Sequence, residues 1–359
     1  MSDNLDLANL DYAAAYAGKT IFITGGAGAI GSNLTRAIAQ YAAKVIVLDN
    51  LVSGQRWAVP SLPNVMFVEG DILDEVKLKR VFFEKPDVVF HLAAFFANQN
   101  SVDHPENDLM VNGMGTLKLM EYATLQGVER FVYASSGCSI YGSSAPLPLT
   151  EEFMSMHLTT PYQITKMLGE LYGNFFWHHF DLPIVKARFF NSYGPGEVPG
   201  QYRNVIPNFI YWAMLGLPLP ITGDGHETRD FTFVHDITDG LLRAGIVEAA
   251  IGQEFNLASG RETRICDLAE KIIEATGSKA GIKYAPRRRW DTKSRLLASV
   301  DKARGLIGYA PDTEFDTGLE HTVRWFRDNW DRIHDAASFG PGMSSAVREM
   351  LVKQDKKSD

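Results

Sequence analysis

Lys19-Thr-Ile-Phe-Ile-Thr-Gly-Gly-Ala-Gly-Ala-Ile-Gly31 runs from an unbroken apolar stretch into a glycine-rich turn. The apolar residues do not alternate with polar ones, the pattern of a parallel strand buried on both faces. Gly25, Gly28 and Gly31 then follow as G-x-x-G-x-x-G, and a helix is predicted over residues 32–41. The first glycine permits a tight turn, the second lets backbone approach a pyrophosphate, and the third lets helix and strand pack closely. The helix N-terminus adds free N–H groups and a partial positive charge. A second strand over 44–48 ends in Asp49, placed to accept bonds from a ribose 2′-hydroxyl. That carboxylate repels a 2′-phosphate, so the expected dinucleotide is NAD and not NADP. Asp71 and Ile72, after the third strand, could meet the adenine edge; Asp71 reads equally well as a turn residue.

Outward from this unit the same grammar repeats. Strands are predicted at 65–68, 88–91, 131–134 and 184–188, and helices at 75–83, 107–126 and 162–180. Strands alternating with helices mean an α/β fold: a doubly wound parallel sheet covered on both faces. After Arg188 the texture changes. Pro195, Pro199, Pro207, Pro218 and Pro220 crowd among glycines, and helices are predicted at 204–215, 237–250, 265–276 and 317–329. We read a smaller, interleaved α/β lobe there. The expected organisation is a leader at 1–17 with a short helix at 12–16, a dinucleotide domain at 18–187, the second lobe mainly within 188–335 with some segments returning to the first domain, and a charged tail at 336–359.

Bulk properties bound the function. A chain of 359 residues, 45% hydrophobic and 22% charged, can bury a large core. Its net charge of -8 argues against sequence-independent nucleic-acid binding, so an anionic substrate must be held by local arginines. The two cysteines, Cys138 and Cys266, have no metal-ligand spacing and fit a reducing cytoplasm. No metal is expected. No apolar run reaches membrane-spanning length, and the acidic start Met1-Ser-Asp-Asn-Leu-Asp lacks the basic region of a signal peptide.

Tyr162 and Lys166 sit four residues apart in Pro161-Tyr-Gln-Ile-Thr-Lys166, on one face of a predicted helix. A neighbouring ammonium and a positive nicotinamide ring would both favour the phenolate, lowering the tyrosine pKa toward the range of a general base. Such a base can take a proton from a sugar hydroxyl while hydride leaves the same carbon. Ala134-Ser-Ser-Gly-Cys-Ser-Ile-Tyr141 closes the preceding strand, where strand ends border the ligand crevice. Ser135, Ser136 and Ser139 compete to bond the substrate oxygen, and Cys138 reads as a small filler.

Together with Asp49-Asn50-Leu51, Gly70-Asp-Ile72, His91-Leu-Ala-Ala94, Val111-Asn112, Arg188-Phe-Phe-Asn-Ser-Tyr-Gly-Pro195 and Thr228-Arg-Asp-Phe231, these motifs resemble the extended short-chain dehydrogenase/reductases. The resemblance is to their NAD-dependent nucleotide-sugar epimerase/dehydratase group and runs from Lys19 to about Trp330. It implies a Rossmann domain with Tyr162 as catalytic base and Lys166 tuning it and binding the nicotinamide ribose. Gly25, Gly28, Ala29, Ile30, Gly31, Asp49, Asn50, Asp71, Ile72, Leu92, Ala93, Ala94 and Asn112 are implied around the cofactor. One departure stands out: the family's Ser or Thr four residues before its Tyr-Gly pair falls on Gly137, so the hydroxyl must come from Ser136 or Ser139 or be dispensed with.

On the substrate side, diphosphates are clamped bidentately by arginines. The resemblance implies Arg229 and Arg288 for that role, Asn191 nearby, and Asp291 at the nucleotide ribose. Arg287, Arg288 and Arg289 could also be a solvated basic turn. Gln201-Tyr-Arg-Asn-Val-Ile-Pro207, with Arg203 and Val205, resembles the segment that wraps the base. Phe95, Phe96 and Ser101 could line the sugar pocket.

Within the family, 4,6-dehydratases add an Asp-Glu pair at positions resembling Cys138-Ser139, and decarboxylases a glutamate at the position of Ser139. Neither acid is present, which favours a UDP-hexose or UDP-hexuronate 4-epimerase over a dehydratase or decarboxylase; a catalytically silent NAD-binding sensor is the reading of another class. The resemblance also implies a homodimer through the helices at 107–126 and 162–180, with Leu109, Leu117, Met120, Leu168, Leu171 and Phe175 as apolar stripes.

Overall fold

The computed structural model describes residues 7–288, 291 and 293–339. Six strands follow the predicted runs: β1 (Thr20–Thr24), β2 (Lys44–Asp49), β3 (Val65–Glu69), β4 (Val88–His91), β5 (Arg130–Ser136) and β6 (Ile184–Phe189). With Glu254–Leu257 they form a seven-stranded sheet, ordered Glu254–Leu257, β6, β5, β4, β1, β2, β3. Every pairing in it is parallel. The chain winds from β1 through β2 to β3, then crosses back so that β4 lies on the other side of β1. Thr24, the last residue of β1, therefore pairs with Leu48 on one side and His91 on the other. This reversal opens a crevice at the strands' carboxyl ends, where doubly wound sheets bind ligands.

Both faces of the sheet are covered, which is why its strands read as continuous apolar runs. Leu34 and Ile38 of helix Ala29–Ile38 and Ile237 and Leu241 of helix Val234–Ile246 belong to one buried cluster with Ile21, Ile23 and Val47. Leu119, Met120 and Phe176, from helices Thr116–Gln126 and Pro161–Phe180, pack with Phe22, Ile46 and Phe131 on the opposite face. A third cluster, with Phe209, Ile210, Trp212, Leu268, Ile272, Leu319 and Phe326, is the core of the second lobe. Helix Tyr12–Tyr16 is pinned to the first body: Tyr16 Oη donates to Leu242 O (2.8 Å) and Tyr12 Oη to Asp239 Oδ1 (2.6 Å).

The helix expected at 107–126 is interrupted. Pro105–Asp108 passes into a widened turn, Leu109–Gly115, before regular helix resumes at Thr116–Gln126. Gly113 and Gly115 weaken the α-helix there. A Cβ on Gly115 would meet the Ile72 side chain at 2.5 Å, so close packing against Ile72 requires the glycine. Asn98–Asp103, Gly137–Ile140, Asp301–Ile307 and Trp330–Ala336 are short helices that the hydrophobic period does not reveal, being too short to repeat it. Among the described residues, no helix is long and apolar enough to cross a membrane. Arg289 and the tail from residue 340 onward lie outside the described residues.

Candidate active site

The crevice at the switch point continues into the second lobe as one cleft of about 460 Å³. Its floor at one end is the glycine turn. Gly25 adopts φ +69°, and a Cβ there would come within 2.9 Å of Leu92 and Ala93 backbone atoms. A Cβ on Gly31 would come within 2.9 Å of three backbone atoms of Gly25 and Gly26. Gly28 is the N-cap of helix Ala29–Ile38, which begins without a side-chain cap. Its first N–H groups are thus left for an outside acceptor. Gly28, Ala29, Ile30, Gly31, Asp49, Asn50, Asp71, Ile72, Leu92, Ala93 and Ala94 all line this end. The cradle of glycine backbone, uncapped helix and acid at the end of β2 fits a dinucleotide.

Asp49 is set by the loops around it. Its carboxylate accepts from Ala27 N (2.9 Å) and Leu51 N (2.8 Å), while burial raises its pKa. Asn50 Nδ2 donates to Asp71 Oδ2 (2.7 Å), so the ends of β2 and β3 are tied across the adenine side of the cradle. Asn112 differs from expectation. It is buried beyond the wall, its Oδ1 accepting from Phe95 N (2.8 Å) and its Nδ2 donating to Asp108 Oδ2 (2.9 Å), and it braces the cleft without lining it.

At the centre, helix Pro161–Phe180 presents Tyr162 and Lys166 on one face. Thr160 caps the helix and Pro161 occupies its first turn. The side chains of Tyr162 and Ser136 are hydrogen-bonded, and Ser136 Oγ donates to Ser139 Oγ (3.0 Å). Lys166 Nζ donates to Ala134 O (3.0 Å) and lies 5.7 Å from the Tyr162 ring centroid. Of the competing serines, Ser135 is drawn away: it donates to Glu170 Oε1 (2.5 Å), part of the buried Glu170–Arg188 pair. Gly137 has no room for a side chain, since a Cβ there would fall within 2.7 Å of three atoms of the Phe190 ring.

Burial dominates the electrostatics of the protein groups at this pair. Burial, with Asp108 next, raises the Tyr162 pKa well above its usual value. Lys166 is itself pushed down to about 8 by burial. The ammonium bonds the Ala134 carbonyl and does not offset the desolvation of the phenol; of the neighbouring protein groups, the Ser136 bond is the one that favours the phenolate. Ser101 also departs from its expected place in the sugar pocket. It is fully buried, accepting from Tyr162 N (3.1 Å) and donating to Asn98 O (2.8 Å), so it steadies the start of the catalytic helix. Phe96, not Phe95, lines the cleft, edge-on to Tyr162 with centroids 5.9 Å apart.

The far end comes from the second lobe. Asn191, Val205, Arg229, Arg288 and Asp291 all line the cleft. Arg229 Nη2 pairs with Asp291 Oδ1 (2.8 Å). Arg287 instead donates to Asp291 O (2.7 Å), holding that loop. Arg203 lines the cleft but reaches the Asp49 end, where Nη2 donates to Ser53 O and the guanidinium acts on Asp49. Two further cleft residues, Glu197 and Lys293, escaped the sequence reading, and Cys138, read as a small filler, lines the cleft with them. Glu197, raised to about 7 by burial, accepts from Asn204 Nδ2 (2.9 Å). Cys138 Sγ donates to Asn191 Oδ1 (3.0 Å), and its thiol is pushed up to about 11 by burial. Lys293 Nζ donates to Cys138 O (2.5 Å). The proximity of Lys293 to Asp291 in the chain was the available signal for it; Glu197 lies in a loop without periodicity.

The model of the NAD dependent epimerase/dehydratase family matches residues 21–258. An epimerase structure from Methanothermobacter thermautotrophicus is 58% identical, with TM-score 0.91, covering 92% of this chain and 98% of that one. A UDP-glucose 4-epimerase of Mycolicibacterium smegmatis is 36% identical over 309 residues, 85% of this chain and 98% of the relative. A UDP-N-acetyl-alpha-D-glucosaminuronate decarboxylase of Bacillus cytotoxicus is 30% identical over 328 residues, 86% of this chain and 98% of the relative. With the parallel sheet, the glycine cradle and the Tyr162/Lys166 helix in place, the chain belongs to the NAD dependent epimerase/dehydratase family.

Proposed function

We propose that the protein inverts C4 of a UDP-linked hexose or hexuronate through a transient 4-keto sugar. The observation that carries this choice is the absence of a carboxylate at residues 138 and 139. Cys138 there is a half-buried thiol held by Asn191, and its raised pKa keeps it protonated near neutral pH. The protein groups acting on the Tyr162 phenol are Asp108, Cys138 and Ser136, and Asp108 is fully buried on Thr165 and Asn112. Tyr162 with no carboxylate at residues 138 and 139 supports oxidation and its reversal more than elimination or decarboxylation; Glu197, which also lines the cleft, is bonded to Asn204.

NAD, when bound, would supply the redox chemistry, a hydride acceptor and donor for C4 of the sugar. In this reading Gly25 to Gly31 cradle its pyrophosphate, Asp49 accepts from its adenosine ribose, and Lys166 holds the nicotinamide ribose. Tyr162 Oη takes the proton from the sugar O4 and later returns it. Ser136, bonded to Tyr162, would turn its single proton from Ser139 Oγ to the same sugar oxygen. Arg229 and Arg288 hold the diphosphate, Asn191 lies beside it, and Asp291 accepts from the nucleotide ribose. Arg203, on Ser53 O, serves the cofactor end rather than the nucleotide base.

The same reading includes a homodimer. Leu109, Leu171 and Phe175 are exposed on the Leu109–Gly115 and Pro161–Phe180 segments, beside Met110, Met114 and Ile164. Met120 is removed from the expected stripe, because it is fully buried in the core. Incubation with UDP-, dTDP-, GDP- and CDP-sugars and NMR of the products tests the activity. Interconversion of C4 epimers is expected with a UDP-sugar. A pentose or 6-deoxy product, or tight NAD binding with no conversion of any sugar, overturns it.

A further inference from the structure

Lys293 has no part in the chemistry above, yet its ammonium stands in the wall of the substrate cleft. Nζ donates to the carbonyl of Cys138, on the short helix Gly137–Ile140 that follows β5. That anchor belongs to the reacting end of the cleft: the Cys138 thiol acts on the Tyr162 phenol, and Ser136 and Ser139 flank it. An ammonium carries three donors. Among the described residues, the Cys138 carbonyl is the single hydrogen-bond acceptor of Nζ. The nearest carboxylate, on Asp291, is engaged by Arg229. Burial pushes the amine down to about 8, the mark of a charge that the protein has desolvated without fully pairing it. Such a charge is costly unless an anion completes it.

Resting on the epimerase reading, we propose that Lys293 binds a carboxylate on the sugar itself, so that the substrate is a nucleoside-diphosphate hexuronate. Lys293 adjoins the Arg229–Asp291 pair, its backbone carbonyl accepting from Arg229 Nη1 (3.3 Å), but its ammonium is bonded to Cys138 O at the strand end, the side of the cleft that bears Tyr162. On a hexuronate, the carboxylate carbon is attached to C5, the neighbour of the C4 that Tyr162 serves. A charge-assisted bond there discriminates against a neutral hydroxymethyl group, because that group leaves the ammonium without its counter-charge.

The test is calorimetric binding of UDP, UDP-glucose and UDP-glucuronate to the NAD-loaded protein and to Lys293→Met. The wild type is expected to bind UDP-glucuronate roughly 10- to 100-fold more tightly than UDP-glucose, the worth of one bond to a charged group. Lys293→Met should abolish that preference and leave UDP affinity unchanged, and Lys293→Arg should retain it. Equal binding of the two sugars by the wild type overturns the proposal. So does a Lys293→Met protein that loses UDP and UDP-glucuronate affinity alike, which would assign the lysine to the diphosphate. If the methionine variant does not fold, Lys293→Gln serves the same comparison. Because binding is read without turnover, a protein that prefers UDP-glucuronate but converts no sugar would sink the epimerase reading and leave the Lys293 assignment standing.

Discussion

Gly137→Ser would install the hydroxyl that the family resemblance implies for this position, and the structure predicts that it damages the protein instead. The new Cβ would fall within 2.7 Å of Cε2, Cζ and Cδ2 of Phe190, all far inside carbon–carbon contact. Phe190 cannot easily retreat. It is fully buried and its ring lies 6.3 Å from that of Tyr141. Tyr141 in turn donates to Asn256 Oδ1 (2.7 Å) and accepts from Arg188 Nη1 (2.9 Å). Overpacking of this kind costs about 1–3 kcal/mol. For a domain of this size that lowers Tm by roughly 2–10 °C. The assay is thermal unfolding at fixed saturating NAD, since ligand alone shifts Tm. Phe190→Leu alone should destabilise by about 1–2 kcal/mol through lost packing. Combined with Gly137→Ser it should recover part of the loss, with a coupling of roughly 0.5–3 kcal/mol. A Gly137→Ser protein that melts with the wild type and turns over faster would refute the claim that Phe190 forced the hydroxyl elsewhere.

Tyr162→Phe should retain bound NAD, read by extraction of the nucleotide, while product formation followed by NMR falls roughly 10²–10⁴-fold. Glu197 has a folded pKa of about 7, raised above its unfolded value of 4.5, so the stability it contributes is fully present below pH 4.5 and is lost as pH rises through 7. Glu197→Gln should therefore flatten the fall of Tm between those values and melt higher than the wild type at pH 8, by an amount on the order of 3 kcal/mol; parallel Tm–pH curves would contradict the burial argument. Phe175→Glu puts a charge on an exposed apolar position, and light scattering should report a dimer for the wild type and a monomer for the variant.

Much of the dinucleotide half was legible because its signals are local. Ile21, Phe22 and Ile23 announce a strand buried on both faces, and the glycine spacing of 25, 28 and 31 reports contacts only a few residues apart in the chain. Helix 265–276 was read to the residue, Ile265–Thr276, from its apolar period and the glycine that follows. The shared helix face of Tyr162 and Lys166 was legible for the same reason, since a four-residue spacing on a helix is itself a geometric statement. The break at Leu109–Gly115 was not, because it depends on Ile72 packing against Gly115 from another part of the fold. Nor was the seventh strand, Glu254–Leu257, whose place beside β6 depends on pairing Glu254 with Lys186, 68 residues earlier.

Residue types and short spacings were enough to establish the parallel sheet, the place where a dinucleotide docks and the helix face bearing Tyr162 and Lys166. Burial and partnership across the chain had to be settled by the folded molecule. It is there that Ser135 is lost to Glu170, Ser136 is joined to Tyr162, Phe190 closes position 137, and Lys293 is laid against the Cys138 carbonyl. The physical reason is one of range. Backbone geometry and hydrophobic period act between near neighbours along the chain, whereas desolvation, close packing and the pairing of charges depend on whatever residues the fold brings within a few ångströms.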